Sequence, residues 1–266
     1  TITPRVDTQG EVNLILKDGC HFKAEWGINV KKGDTFTVYA QSTGEDTMGK
    51  LTACLPEDFN SDGSVDYVVW PDEGLSGIGG GVRWMKANNA IYESEGTIVI
   101  NGGNIRARGQ NRASAIGGTS QDHAGVDSSG FSSEKRLGGS ITINGGIVRT
   151  EAITKGTAIT AFSVGIGSCC SGYGGSVTIN GGTVIANAAN SAISTGRDGS
   201  ITINGGTITA RGGINNFAVA KDALILGNGI GPYWTGTVTV NGGKIKASTA
   251  GQGSGIGGSR SQTKVI

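Results

Sequence analysis

Through most of the chain apolar and polar residues alternate over short stretches, and the stretches are punctuated by glycine. Ile201-Thr202-Ile203 sets two isoleucines on one face of a strand and threonine on the other, because successive strand side chains point to opposite faces. Asn204-Gly205-Gly206 follows, a turn in which glycine takes the positive φ that a β-carbon resists. A second alternating segment, Thr207-Ile208-Thr209-Ala210, comes next. After a connection of variable length a third piece sets one apolar residue among small ones, as in Ala115-Ile116-Gly117, Gly165-Ile166-Gly167, Ala192-Ile193-Ser194 and Gly255-Ile256-Gly257. The pattern predicts three short strands and three corners per unit.

The unit repeats. Its Asn-Gly-Gly corner stands at Asn101, Asn144, Asn180, Asn204 and Asn241, with spacings of 43, 36, 24 and 37 residues. A fixed core with unequal spacing is one structural unit carrying loops of different length. The shortest form, 24 residues, fits one turn of a three-sided solenoid. The predicted fold is therefore all-β: a right-handed parallel β-helix of about seven coils with loop inserts, a single domain over residues 1–266. Regular coils occupy 96–266 and degenerate ones 1–95, where Phe22, Leu51, Ile28 and Ile78 take the places of the repeat's apolar residues. The aligned second strands give a column of Phe22, Leu51, Ile105, Val148, Val184, Ile208 and Ile245; the third strands give Ile28, Ile78, Ile116, Ile166, Ile193, Ile225 and Ile256. Seven coils stacked at about 4.8 Å make a rod about 34 Å long around a thin continuous core.

Composition narrows the class further. Of 266 residues 49 are glycine, which excludes a mainly helical protein. Glycine has no three-residue period and there are only four prolines, which excludes collagen. A net charge of +1 with no basic run argues against a dedicated nucleic-acid binder, and no stretch of 18 apolar residues is present to span a membrane.

Candidate chemistry is thin and lies mostly in the loops. The asparagine column has a structural explanation, since stacked turn amides hydrogen-bond along the axis. The outward column five residues beyond each asparagine reads Lys23, Thr52, Arg106, Arg149, Ile185, Thr209 and Lys246. Such a column suits an acidic polysaccharide, although exposed strands also carry Lys, Arg and Thr simply to discourage sheet stacking. It is too mixed in size and charge for a flat ice-binding array.

An acidic insert at 54–74 contains Asp58, Asn60, Asp62, Ser64 and Asp66, with Gly63 at the bend. Oxygen ligands at alternate positions match the first half of a calcium loop, with Ser64 contributing its carbonyl. The expected ion is a structural Ca2+. The closing Glu of a full loop is missing, Val69 standing there, so Asp72 or Glu73 would have to substitute; an ordinary Asp/Asn/Gly turn is the other reading. Aromatic residues are few and cluster beside inserts: Trp70 and Trp84 around the acidic loop, and Tyr233 and Trp234 in 228–236. These four are the candidate ligand-binding residues, since exposed rings stack on sugars or anchor a protein partner. Rings packed onto the coils are the alternative.

Catalytic motifs are absent. There are two histidines, His21 and His123, and no G-x-S-x-G, H-E-x-x-H or C-x-x-C. Gly253 to Gly258 satisfies G-x-G-x-x-G, a match that chance supplies in so glycine-rich a chain. Cys20, Cys54, Cys169 and Cys170 are read as free thiols, because adjacent cysteines bridge only through a strained ring and Cys20 and Cys54 are offset along the coils.

The strings Gly199-Ser200-Ile201-Thr202-Ile203-Asn204-Gly205-Gly206-Thr207-Ile208-Thr209-Ala210 and Ser254-Gly255-Ile256-Gly257-Gly258 resemble the glycine-rich β-helical repeats of large bacterial surface proteins. Proteins of this group are frequent in gut bacteria and often labelled carbohydrate-binding-domain-containing, sometimes immunoglobulin A1 protease. The opening Val12 to Cys20 is similar to the group's first coil. The resemblance covers nearly all the chain apart from the inserts; it is specific for architecture and silent on activity. It implies a secreted or cell-surface bacterial module, part of a longer chain with further domains. The protease label would imply a serine-protease module, none of whose motifs is present. The chain closes on Val265-Ile266 without a polar cap, which suggests a longer rod or an end covered by a partner. The expected function is a non-catalytic, adhesin-like module binding a glycan or a surface protein through side loops. The alternatives are a polysaccharide-degrading β-helix enzyme, hydrolase or lyase, and a passive stalk.

Overall fold

The computed structural model describes residues 5–53, 76–80, 82–85, 89–92, 95–110, 113–118, 137–153, 163–168, 173–214, 227–258 and 263–266. Among them there is no helix. Three parallel sheets of eight, seven and six strands take one strand each from successive turns of the chain, which winds as a right-handed three-sided β-helix. The tightest coil shows the construction: Tyr173–Ile179 lies in the first sheet, Thr183–Ala188 in the second and Ser191–Ser194 in the third. An antiparallel pair, Val82–Met85 with Asn89–Tyr92, stands outside the three sheets.

The second sheet counts seven coils, with every pairing in the predicted register: Phe22 with Leu51, then Ile105, Val148, Val184, Ile208 and Ile245. Val6–Asp7 adds a strand to the third sheet ahead of Ile28–Asn29. Thr263–Val265 adds one to the first sheet beyond Gly236–Val240. Each regular coil sends four or five inward side chains to the core. In the third coil these are Ile98 and Ile100 from the first sheet, Ile105 and Ala107 from the second and Ile116 from the third, all buried. Burying one such isoleucine contributes about 2 kcal/mol, so a stack of short strands with weak individual preferences becomes stable only as a stack.

The third-sheet column needs one correction. Ile230, not Ile225, bridges Ile193 on one side and Ile256 on the other, and it is fully buried. Ile225 lies outside the described residues. Ile230 has glycine on both sides, as do Ile78, Ile166 and Ile256, and the corner explains why. The glycine after the isoleucine holds φ +134° at Gly79 and +126° at Gly117, and a β-carbon on Gly79 would overlap the Gly117 carbonyl of the next coil. The Asn-Gly-Gly corner has the same restriction. Gly146 has φ +81°, and a β-carbon there would sit 2.6 Å from the carbonyl oxygen of Gly103. Coils stack closely by backbone at both corners, which glycine favours; at the third-sheet corner Asn29 and Ser194 take the same register position on two coils.

Glu95 marks the junction of irregular and regular coils. Its carboxylate accepts the Gly139 backbone N–H at 3.0 Å and the Ser168 hydroxyl at 3.1 Å. Burial outweighs these two donors and pushes its pKa up to about 7.

Candidate functional site

Over its five middle coils the first sheet presents an outward face of mostly hydroxylated side chains, with the exposed Glu11 and Lys264 in the same column at its two ends. Thr97, Ser140, Ser176, Ser200 and Thr237 align in one column. Val99, Thr142, Thr178, Thr202 and Thr239 align in the next. The columns lie two residues apart on each strand, about 6.6 Å, and repeat from coil to coil at about 4.8 Å. Hydroxyls also pair along the axis, as Ser176 Oγ does to Ser140 Oγ at 3.1 Å.

The next column is the asparagine ladder. The Nδ2 group of Asn144 donates to Asn101 Oδ1, that of Asn180 to Asn144, that of Asn204 to Asn180 and that of Asn241 to Asn204, each at 2.7 Å. Every amide inside the ladder both donates and accepts, so the column is a structural spine, as the sequence predicts.

At the opposite border of this face, three residues before the serine and threonine column, Tyr173, Arg197 and Trp234 fall in register on three successive coils. The Arg197 guanidinium lies 4.6 Å from the centre of the Trp234 ring and 5.8 Å from that of Tyr173. A planar cation over two rings is held by cation–π attraction, which ties the three side chains together along the corner. Beside it Asp198, at φ +60°, accepts the Thr235 hydroxyl at 2.6 Å and stands exposed. The corner therefore combines ring surface, a guanidinium and a carboxylate next to rows of hydroxyls, the group types that polyhydroxylated ligands meet in binding sites.

The sequence candidates fare differently. Trp234 is partly exposed and sits in this border. Tyr233, expected as an exposed ring, is only 3% accessible and meets Trp234 edge-on, the centroids 5.6 Å apart at 80°. Its place is support rather than contact: both residues lie in the bend before the strand Gly236–Val240, and there the Tyr233 ring packs inward beneath Trp234. The stretch 228–236 is thus a corner following the buried Ile230, not an insert. Trp84 lies in the antiparallel strand Val82–Met85, and its side chain is outside the described residues. Trp70 and the calcium-loop residues Asp58, Asn60, Asp62, Ser64 and Asp66 also lie outside them. Among the described residues no group of three or more His, Cys, Asp or Glu is placed to hold a metal ion. Cys20 is a half-buried free thiol.

Tyr173 and Arg197 were not singled out from the sequence. Gly174 and Gly175 separate Tyr173 from its strand's alternating part, and the two residues are 24 positions apart. The one available signal was that this separation equals the shortest coil length.

Four segments, residues 98–120, 177–197, 201–231 and 238–260, match the family model described as Beta helix repeat. Comparison with curated proteins and with solved structures gives no match. The match agrees with the architecture and carries neither a gut-bacterial nor a protease label.

Proposed function

We propose that this β-helical repeat protein is a non-catalytic, adhesin-like module of a secreted or cell-surface bacterial protein, and that it binds glycans at the border of its first sheet. The observation that carries the reading is the register of Tyr173, Arg197 and Trp234, with the guanidinium between the two rings. A sugar ring offers an apolar face to an aromatic side chain and hydroxyls to neighbouring polar groups. Here the Trp234 ring, the Asp198 carboxylate and the serine and threonine rows stand side by side. The corner residues are tied to strand starts at Gly199 and Gly236 and linked by the Thr235–Asp198 hydrogen bond, so little ordering entropy is lost on binding.

A glycan-array screen tests this. The expected result is selective binding that weakens about ten-fold or more in Trp234→Ala, with the thermal melt nearly unchanged. Binding that survives Trp234→Ala, or no binding to any glycan, would overturn it. Running the array with calcium and again with a chelator also reads the acidic loop. Chelator-sensitive binding assigns an ion to Asp58, Asn60, Asp62, Ser64 and Asp66; insensitivity leaves an ordinary turn.

A further inference from the structure

The second sheet carries its own surface, on a different side of the solenoid. Strand register sets Lys23, Thr52, Arg106 and Arg149 in one outward column on successive coils. Lys50 stands two residues before Thr52 on its strand and Arg108 two residues after Arg106, both outward. Farther along the axis Arg211, Lys244 and Lys246 repeat the theme on the last two coils. Among the described residues Glu45 pairs with Arg149 at 3.2 Å and Glu151 with Arg108 at 2.8 Å, and Glu25 stands in the turn after His21–Ala24. Among the described residues of this face cations therefore outnumber acids, in a chain whose total charge is +1.

Discouraging sheet stacking does not explain this distribution. The first sheet has the same strand pairing and alternation, yet its outward columns from Thr97 to Thr239 carry no charge, its Glu11 and Lys264 standing only at the two ends. If cations were there only to keep sheets apart, both faces would need them. Charge is segregated instead. Arg106 and Arg149 are also direct neighbours across two parallel strands, an arrangement that repels unless an anion sits between them. Arg149 is held from one side by Asn104 Oδ1 at 3.0 Å and by Glu45. Arg106 is exposed, with its guanidinium toward solvent in the same row.

We propose that this face binds a linear anionic polysaccharide, laid along the solenoid axis with its carboxylates or sulfates over the Lys23–Arg149 column. One outward row per coil, at about 4.8 Å, is close to the rise of one sugar unit, so successive anions meet successive rows. Arginine supplies the planar two-pronged donor that carboxylate and sulfate groups fit. The outward columns contain no Phe, Tyr or Trp on which bases would stack, which favours an anionic glycan over single-stranded nucleic acid. The site is separate from the Trp234 border and does not depend on it.

The test uses the whole chain, with alginate as a polyuronate probe, dextran as the neutral control and duplex DNA as a second polyanion. Expected is salt-sensitive binding to alginate, little to dextran, and a loss of about ten-fold in the double variant Lys50→Glu, Arg106→Glu. Both positions are exposed, and a carboxylate at 106 faces Arg149, so the fold should hold; an unchanged melt confirms it. Trp234→Ala should leave alginate binding intact, which separates failure here from failure of the glycan border. Undiminished alginate binding in the double variant, no alginate binding by the wild type, or DNA binding as tight as alginate binding would each overturn the proposal.

Discussion

The first two coils and the five that follow share one backbone path but are held together differently. In the regular coils a few positions repeat the same solution: Asn-Gly-Gly at one corner, isoleucine with glycine at another, and an unbroken amide ladder between Asn101 and Asn241. In the first two coils Ile15 and Tyr39 pair where the asparagine column would continue, 66% and 41% exposed. Individual contacts stand in for the ladder. Arg5 donates to the carbonyls of Trp26 and Ser76, each at 3.0 Å, and to that of Gly79 at 2.9 Å. Asp34 accepts the Gly10 N–H at 2.8 Å and the Thr8 hydroxyl at 3.2 Å, and Asn29 donates to Asp7 at 2.9 Å. A solenoid needs its backbones stacked and its core filled; how the corners are satisfied is open to either solution. The periodic solution leaves a sequence signature, whereas the individual one does not.

The sharpest way to break the comparison is a matched pair of glycine substitutions. Gly146 and Gly19 both hold positive φ, +81° and +70°, but only at Gly146 would a β-carbon meet a neighbouring coil. Gly146→Ala should cost about 3 kcal/mol, and Gly19→Ala about 1 kcal/mol from backbone strain alone. Urea unfolding measures both. Equal costs would mean that close stacking of the Asn-Gly-Gly corners contributes nothing.

The junction gives the next effect. Glu95 has its pKa raised to about 7 from 4.5 by burial. The folded state therefore holds this proton more tightly than the unfolded chain, so its stabilising effect is full below pH 4.5 and is lost as pH rises through about 7. Glu95→Gln keeps an acceptor for Gly139 and Ser168 while removing the charge. The variant should be more stable than the wild type at pH 8 by about 2 kcal/mol, with the gap closing towards pH 4.5. A difference that does not change with pH would show that the carboxylate stays solvated.

The smallest effect sits on the ladder. Asn180 donates to Asn144 and accepts from Asn204, at an exposed position. Asn180→Ala should cost about 1 kcal/mol, and Asn241→Ala, at the last rung, about half of that. Thermal melts that place the two variants together would mean the rungs do not support each other.

Much of this was legible because the information is periodic. The Phe22-to-Ile245 column and the asparagine ladder follow from alternation and spacing alone, since an inward or outward side chain is fixed by strand parity. Apolar character alone points to Ile225 as readily as to Ile230; the flanking glycines favour Ile230, because the corner brings the coil backbones close together. The sequence does not separate Tyr233 from Trp234, because the two lie in a bend before the strand Gly236–Val240, where alternation does not fix which ring turns inward. The Tyr173–Arg197–Trp234 border was out of reach, because three different residue types at one register position look like variation until the coils are superposed.

By itself the sequence determined the solenoid: the three-strand unit, its core and its glycine corners follow from alternation, local φ requirements and repetition, all of them short-range properties of the chain. Only the tertiary structure decided which outward residues become neighbours. Stacking brings residues tens of positions apart to about 4.8 Å, and the lengths of the intervening loops fix which ones they are. That step set a guanidinium between two rings, left the middle coils of one face without charge and gathered cations on another.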